Sequence, residues 1–248
     1  MDIKQSEKSN DQSSYYEIQG AARGISDRQE VERQARSLMS ETYSRVILPF
    51  LPENRKGAIY EAATGPGIIQ VWLRDKGYSN VYGSDFAVKE AELAKEINPN
   101  IEHGDSVVGV TARGDEQYDA IIALDFLEHI PRESVLVFLK NSRGALKPGG
   151  VLIMRAPNAD SPLVGLNLYN DITHVWAYTT VSLRAMSRIC SFSSISFDDD
   201  TTSSIQRYRW IKCPVMKVAQ WILRHLLNIA CRTRVTHLGS SIYIYAKR

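Results

Sequence analysis

IYEAATGPGIIQVWL, residues 59–73, is the stretch on which the reading of this chain turns. A short β-forming run leads into Thr64-Gly65-Pro66-Gly67, and an apolar stretch with helical spacing follows. Strand, glycine turn and helix, in that order, open an alternating α/β chain. Glycine takes backbone conformations closed to other residues and lets neighbours come close. Gly65 is therefore expected to turn the chain sharply, and Gly67 to let a ligand approach a helix N-terminus.

Working outward, the alternation continues. Val31, Ala35, Leu38, Met39, Tyr43 and Val46 recur at helical spacing, which predicts one helix over roughly 27–49. Strands are expected at AIYEAA (58–63), NVYGSD (80–85), IEHGD (101–105), YDAIIALD (118–125) and GGVLIMRAP (149–157). Helices are expected between them at GIIQVWLRDKG (67–77), AVKEAELAKEIN (87–98) and PRESVLVFLKNSRGAL (131–146), with TTVSLRAMSRIC (179–190) after them. The unbroken apolar run Ala120–Leu124 belongs to a strand covered on both faces, as in parallel sheets. SFSSISFDDD (191–200) and SSIYIYAKR (240–248) read as late strands with a helical insertion, 205–237, between them. The predicted fold is α/β: a doubly wound, mostly parallel sheet with one antiparallel edge strand. Residues 1–14 read as a flexible tail and 15–248 as one domain.

In such sheets ligands bind beyond the carboxyl ends of the strands. The Gly65–Gly67 turn lies there, Asp85 ends the second strand, and Asp105 ends the third. A carboxylate at the end of the second strand suits ribose hydroxyls. The dinucleotide fingerprint needs a third glycine, but Ile68, Ile69 and Gln70 follow Gly67. The turn therefore suits a ligand with a ribose and an adenine but no pyrophosphate.

With EAATGPG (61–67), ALDFLEHIP (123–131) and LKPGGVLIMRAPN (146–158), the chain resembles the class I S-adenosylmethionine-dependent methyltransferases. The resemblance points to the branch with ubiquinone-biosynthesis-like and surface-polysaccharide enzymes. It spans about residues 58 to 160, and DITHVWAYTTVSLRAM resembles the segment many relatives carry next. It implies a Rossmann-like fold and S-adenosylmethionine as cofactor. Glu61, Ala63, Gly65 and Gly67 would frame the methionine part, Asp85 the ribose and Phe86 the adenine face. Asp105 and Ser106 would meet the adenine edge, and Leu124, Asp125 and His129 would face cofactor or substrate. The chain departs from the family's usual pattern at Ala63, where a glycine often opens the turn.

A methyl on a sulfonium needs alignment and dryness more than covalent help, but a hydroxyl acceptor also needs a base. His174 is the expected base, with Asp171 orienting it and His129 beside the methyl or acceptor. Trp176 and Tyr178 are expected as an aromatic wall for the acceptor, with Asn158 either contacting a ligand or closing a turn. His103 reads as structural. Asp125, Glu128 and Asp171 lack the spacing of a compact ligand motif, and no metal is expected.

Charge is unevenly spread. From Thr201 to Arg248 there are nine Lys and Arg and no acid, whereas the first 200 residues carry 21 basic and 28 acidic side chains. Within the insertion, Lys217, Gln220, Arg224 and Asn228 form a narrow polar stripe on an otherwise apolar helix. Such a helix is covered by the body, by a second copy in a homodimer, or by an anionic membrane surface. Nucleic acid is not expected. Cys190, Cys213 and Cys231 form no paired motif, and the polar N-terminus has no leader-like apolar run, so a cytoplasmic protein is expected. Three functions compete. The leading one is an O-methyltransferase for a sugar hydroxyl of a nucleotide- or lipid-linked glycan. The others are a methyltransferase for a quinone, phenol or amine, and a non-catalytic binding protein.

Overall fold

The computed structural model describes residues 25, 27–199, 209–231 and 235–248. The tail at 1–14 and the insertion residues Arg207, Arg232 and Arg234 lie outside these.

The amphipathic start is two helices rather than one. Helix α1 (Arg28–Ala35) is capped by Asp27, whose side chain accepts from Glu30 N. Helix α2 (Leu38–Val46) follows after a break at Ser37, whose hydroxyl donates back to the Gln34 carbonyl at 2.6 Å. Such side-chain bonding competes with the helical ladder. The break lets the two halves seek different partners. Val31 and Ala35 pack on Val71, while Tyr43 and Val46 reach the sheet.

Alternation then proceeds as expected. Strand β1 (Ile59–Ala62) leads to α3 (Ile68–Asp75), β2 (Val81–Asp85) to α4 (Val88–Ile97), and β3 (Ile101–His103) to the single turn α5 (Ser106–Gly109). Strand β4 (Tyr118–Leu124), α6 (Arg132–Ala145) and β5 (Leu146–Pro157) complete the parallel part. The short helix α7 (Gly165–Leu168) and α8 (Thr180–Ile189) precede β6 (Ser194–Asp199). Helix α8 carries a full capping box between Thr179 and Ser182. Helix α9 (Arg209–Cys231) and β7 (Ser241–Lys247) close the chain.

The seven strands are ordered β3-β2-β1-β4-β5-β7-β6. Antiparallel pairing is confined to one side: β7 runs against both β5 and β6. The reversed strand therefore lies one place in from the edge, and β6 forms the edge itself. Side-chain alternation splits the core in two. Ala120 and Ile122 face a layer with Trp72, Leu73, Val46 and Tyr43, while Ile121 and Ala123 face Phe138, Leu139 and Leu183. Helices on both faces explain why β4 is continuously apolar. Because β1 to β5 are parallel, their carboxyl ends lie at one edge of the sheet.

Candidate active site

The turn after β1 is held in a strained shape by its neighbours. Ala63 and Gly65 both have φ of 52°, and Gly67 has φ of 96°. A left-handed backbone costs a residue with a side chain about 1–2 kcal/mol, so Ala63 is a cost that the surroundings offset. The Ser106 hydroxyl accepts from Ala63 N at 3.0 Å, and Thr64 N donates to the Ser84 carbonyl at 3.1 Å. Ser106 is buried and also bonded to Ser84, which is bonded to Tyr60. The Ser106 hydroxyl thus holds the turn.

The two glycines exchange their expected roles. A side chain at Gly67 would meet Ala94 and Ile97 of α4 at 3.0–3.4 Å, so Gly67 admits the neighbouring helix. At Gly65 an added carbon would meet nothing within 4 Å among the described residues. Gly65 is where a ligand has room. Gly83 of β2, which the sequence did not single out, is also essential to this turn. Its missing side chain would stand 2.6 Å from Thr64 Cγ2 and 2.7 Å from the Glu61 carbonyl.

Asp85 ties the turn to β2. Its Oδ2 accepts from Gly65 N at 2.7 Å and its Oδ1 from Ala87 N at 2.8 Å. A carboxylate has about four acceptor positions, and the backbone amides of Gly65, Ala87 and Phe86 leave about one. A ribose hydroxyl next to Gly65 fits that remaining position. Phe86 is exposed beside it, as an adenine platform requires, and His103 donates to the Phe86 carbonyl in a purely structural contact. Asp105 is exposed and caps α5 through Val107 N. These residues fit an adenosyl ligand.

Glu61 is buried and accepts from Gln70 Nε2 of α3, so it supports the turn from within the protein. Burial, with the Asp85 charge adding to it, pushes its carboxyl well above the usual range, while the Gln70 amide opposes that shift. Asp85 is pushed up in the same direction by burial.

Leu124, half-buried, ends β4, and Asp125 follows with φ of 51°. Asp125 is ion-paired, with its side chain still 39% exposed. Arg155 of β5 grips it with Nε at 2.7 Å and with Nη2 on the second oxygen, and also reaches the Tyr243 hydroxyl. Arg155 is a second residue the sequence did not reveal. It lies within the third motif, but only the pairing of β4 with β5 brings it opposite Leu124 and within reach of Asp125.

The loop between β5 and α8 packs on the end of β4 through Val175 N and the Glu128 carbonyl. This contact assembles the histidines. The rings of His129 and His174 lie 4.6 Å apart, edge to face. His174 Nδ1 faces the Asn167 carbonyl at 2.9 Å; a carbonyl only accepts, so Nδ1 carries the proton and Nε2 is the basic nitrogen. Asp171 does not orient His174. Its Oδ1 accepts from the Thr173 hydroxyl at 2.6 Å, and that oxygen accepts from His129 Nδ1 at 2.9 Å. The relay Asp171–Thr173–His129 therefore fixes His129 in the same tautomer.

Glu128 stands beside the pair with only 1% of its surface exposed, and its Oε2 has no hydrogen-bond partner among the described residues. Burial, then the Asp125 charge, pushes its carboxyl well above the ordinary range. Among the described residues, Glu128, His129 and His174 each offer a potential ligand atom within 4.8 Å of the others. That is where a divalent cation could sit; Asp125 and Asp171 are not part of that group.

Two expected acceptor contacts are corrected. Tyr178 is buried in the core, and its hydroxyl donates to the Leu127 carbonyl at 2.8 Å. Asn158 is fully buried, donates to the Gly239 and His237 carbonyls, and accepts from Asp160 N. Its side chain closes turns. Trp176 remains exposed, with the Arg132 guanidinium 3.5 Å above its ring.

The family model for a methyltransferase domain matches residues 32–197, and the chain belongs to that family. It is a methyltransferase. No curated protein matches the chain. Among solved structures, a SAM-dependent methyltransferase from Archaeoglobus fulgidus has a TM-score of 0.66 at 16% identity, covering 86% of this chain and 94% of its own. An S-adenosylmethionine-dependent methyltransferase from Mesorhizobium loti gives 0.58 at 15%, covering 86% and 100%. Phosphoethanolamine N-methyltransferase 2 of Haemonchus contortus, in complex with S-adenosyl-L-methionine, gives 0.57 at 13%, covering 84% and 52%. At these identities the likeness is one of fold.

Proposed function

We propose that this protein transfers a methyl group from S-adenosylmethionine to a hydroxyl, with a sugar hydroxyl of a nucleotide- or lipid-linked glycan as the acceptor. The observation that carries the oxygen acceptor is the histidine pair, two rings in contact whose Nδ1 protons are both committed. Bound S-adenosylmethionine supplies an electrophilic methyl on a sulfonium. Gly65, Asp85 and Phe86 hold its adenosyl part. Asp125 is fixed by Arg155 and shapes the site without adding a free charge. As the acceptor oxygen bonds to the methyl carbon and the carbon–sulfur bond breaks, leaving S-adenosylhomocysteine, His174 Nε2 would take the acceptor's proton and pass it to water afterwards. His129, held by Thr173 and Asp171, packs against His174 and keeps its ring in place.

A phenolic or quinol acceptor is the second reading. It is favoured by the exposed rings of Trp176, two residues after His174, and of Tyr169, two residues after Asn167, whose carbonyl meets His174.

The test uses calorimetry with S-adenosylmethionine and a panel of nucleotide-linked sugars, lipid-linked sugars and catechols. His174→Ala should lower kcat by about 10²–10⁴-fold while donor affinity stays within a factor of about two. A variant that transfers at the wild-type rate, or that fails only in donor binding, rejects the base. Turnover on amines alone rejects the oxygen acceptor.

A further inference from the structure

Helix α9 is built inside out. Lys217, Gln220, Arg224 and Asn228 form its polar stripe; Lys217 is exposed, and Arg224 and Asn228 face the segment that follows the helix. Asn228 Oδ1 accepts from Val235 N at 2.7 Å, and Arg224 donates to the Thr236 carbonyl at 3.4 Å. The opposite face is apolar apart from His225, whose ring lies 4.3 Å from that of Trp221, and is uncovered among the described residues. Val215, Val218, Trp221, Ile222, Leu226 and Ile229 are all exposed, Trp221 by 53% and Ile229 by 77%. A soluble helix normally does the reverse, and exposed apolar patches of this kind mark contact surfaces.

Two further observations bear on what covers it. The segment Thr201–Arg248 carries nine basic residues and no acid, and Lys217 is exposed on the helix itself. A two-fold pairing with a second copy would set this segment against itself, positive on positive. An anionic surface would be complementary instead. No described helix is long and apolar enough to cross a membrane. An amphipathic helix with basic neighbours and a Trp on its apolar face lies in the plane of a lipid surface.

We propose that α9 docks this protein, apolar face down, on a bilayer containing anionic lipids. The segment receiving the polar stripe also ties α9 to the site. Asn158 and Ser161, at the end of β5, bond the carbonyls of His237, Leu238 and Gly239. Docking by α9 therefore brings the carboxyl edge of the sheet to the membrane. The inference does not depend on which acceptor is methylated.

The test is flotation of the full chain with phosphatidylcholine vesicles, with and without about one-third phosphatidylglycerol. The protein should float with the anionic vesicles, bind at least ~10-fold more weakly to neutral ones, and show a blue shift of tryptophan emission on binding. High salt should weaken binding. The exposed double substitution Trp221→Glu with Leu226→Glu should abolish flotation while leaving S-adenosylmethionine affinity unchanged. No flotation of the wild-type chain overturns the proposal. A stable dimer in solution that the double variant dissociates also overturns it, by assigning the face to a second copy.

Discussion

Gly83→Ala tests how the site is braced. Gly83 pairs in register with Glu61, so its Cα sits under the turn that receives the donor. The added methyl would stand 2.7 Å from the Glu61 carbonyl and 2.6 Å from Thr64 Cγ2, with Ile101 Cδ1 at 3.1 Å. An ordinary carbon–oxygen contact needs about 3.3 Å, so the backbone of β1 must shift by roughly half an ångström. Overpacking of this kind costs about 1–3 kcal/mol. Alanine recovers about 0.5–1 kcal/mol because glycine is itself unfavourable inside a strand. The net loss is about 1–2 kcal/mol, or roughly 2–8 °C in Tm for a chain of this size. Since Thr64 adjoins Gly65, donor affinity should fall as well. The assay is thermal unfolding by circular dichroism with calorimetric titration of S-adenosylmethionine. The control is Gly104→Ala, where an added side chain meets nothing within 4 Å. If both variants melt together and bind the donor alike, Gly83 does not brace the turn.

Further outcomes follow from burial and charge. The raised Glu61 carboxyl means that the folded chain binds its proton more tightly than the unfolded one. Stability contributed by that proton is full below the ordinary glutamate value of 4.5 and is lost as pH rises towards the folded value. Glu61→Gln, which can still accept from Gln70, should flatten this fall and raise stability at neutral pH; urea midpoints across pH would reveal an unchanged slope if the carboxyl were not involved. Asn158→Ala should cost roughly 2–4 kcal/mol by stranding two carbonyls and an amide, with donor affinity unchanged in calorimetry. Tyr178→Phe should cost about 1 kcal/mol, and a large loss of acceptor affinity at intact stability would restore Tyr178 to the pocket.

Local chemistry made much of this protein legible. Strand–turn–helix alternation, the apolar run of β4, the glycines after β1 and the acid ending β2 are short-range signals, each set by backbone geometry within a few residues. They were enough for the doubly wound sheet and for the edge where an adenosyl group fits. The break at Ser37 escaped because the periodicity of Val31 to Val46 is continuous, and only the separate destinations of α1 and α2 require it.

The tertiary structure decided what faces what. Asn158 and Tyr178 have the chemistry of ligand contacts, but neighbouring carbonyls consume their polar groups. Asp125 meets Arg155 only because β4 and β5 are neighbours, and His129 meets His174 only because a loop more than forty residues later folds back onto β4. In α9 the sequence determined a polar stripe and an apolar surround. The hydrogen-bonding needs of Val235 and Thr236 turned the stripe inward and left the apolar side facing out. A residue's type limits the bonds it can make, and the fold determines which of those partners come within reach.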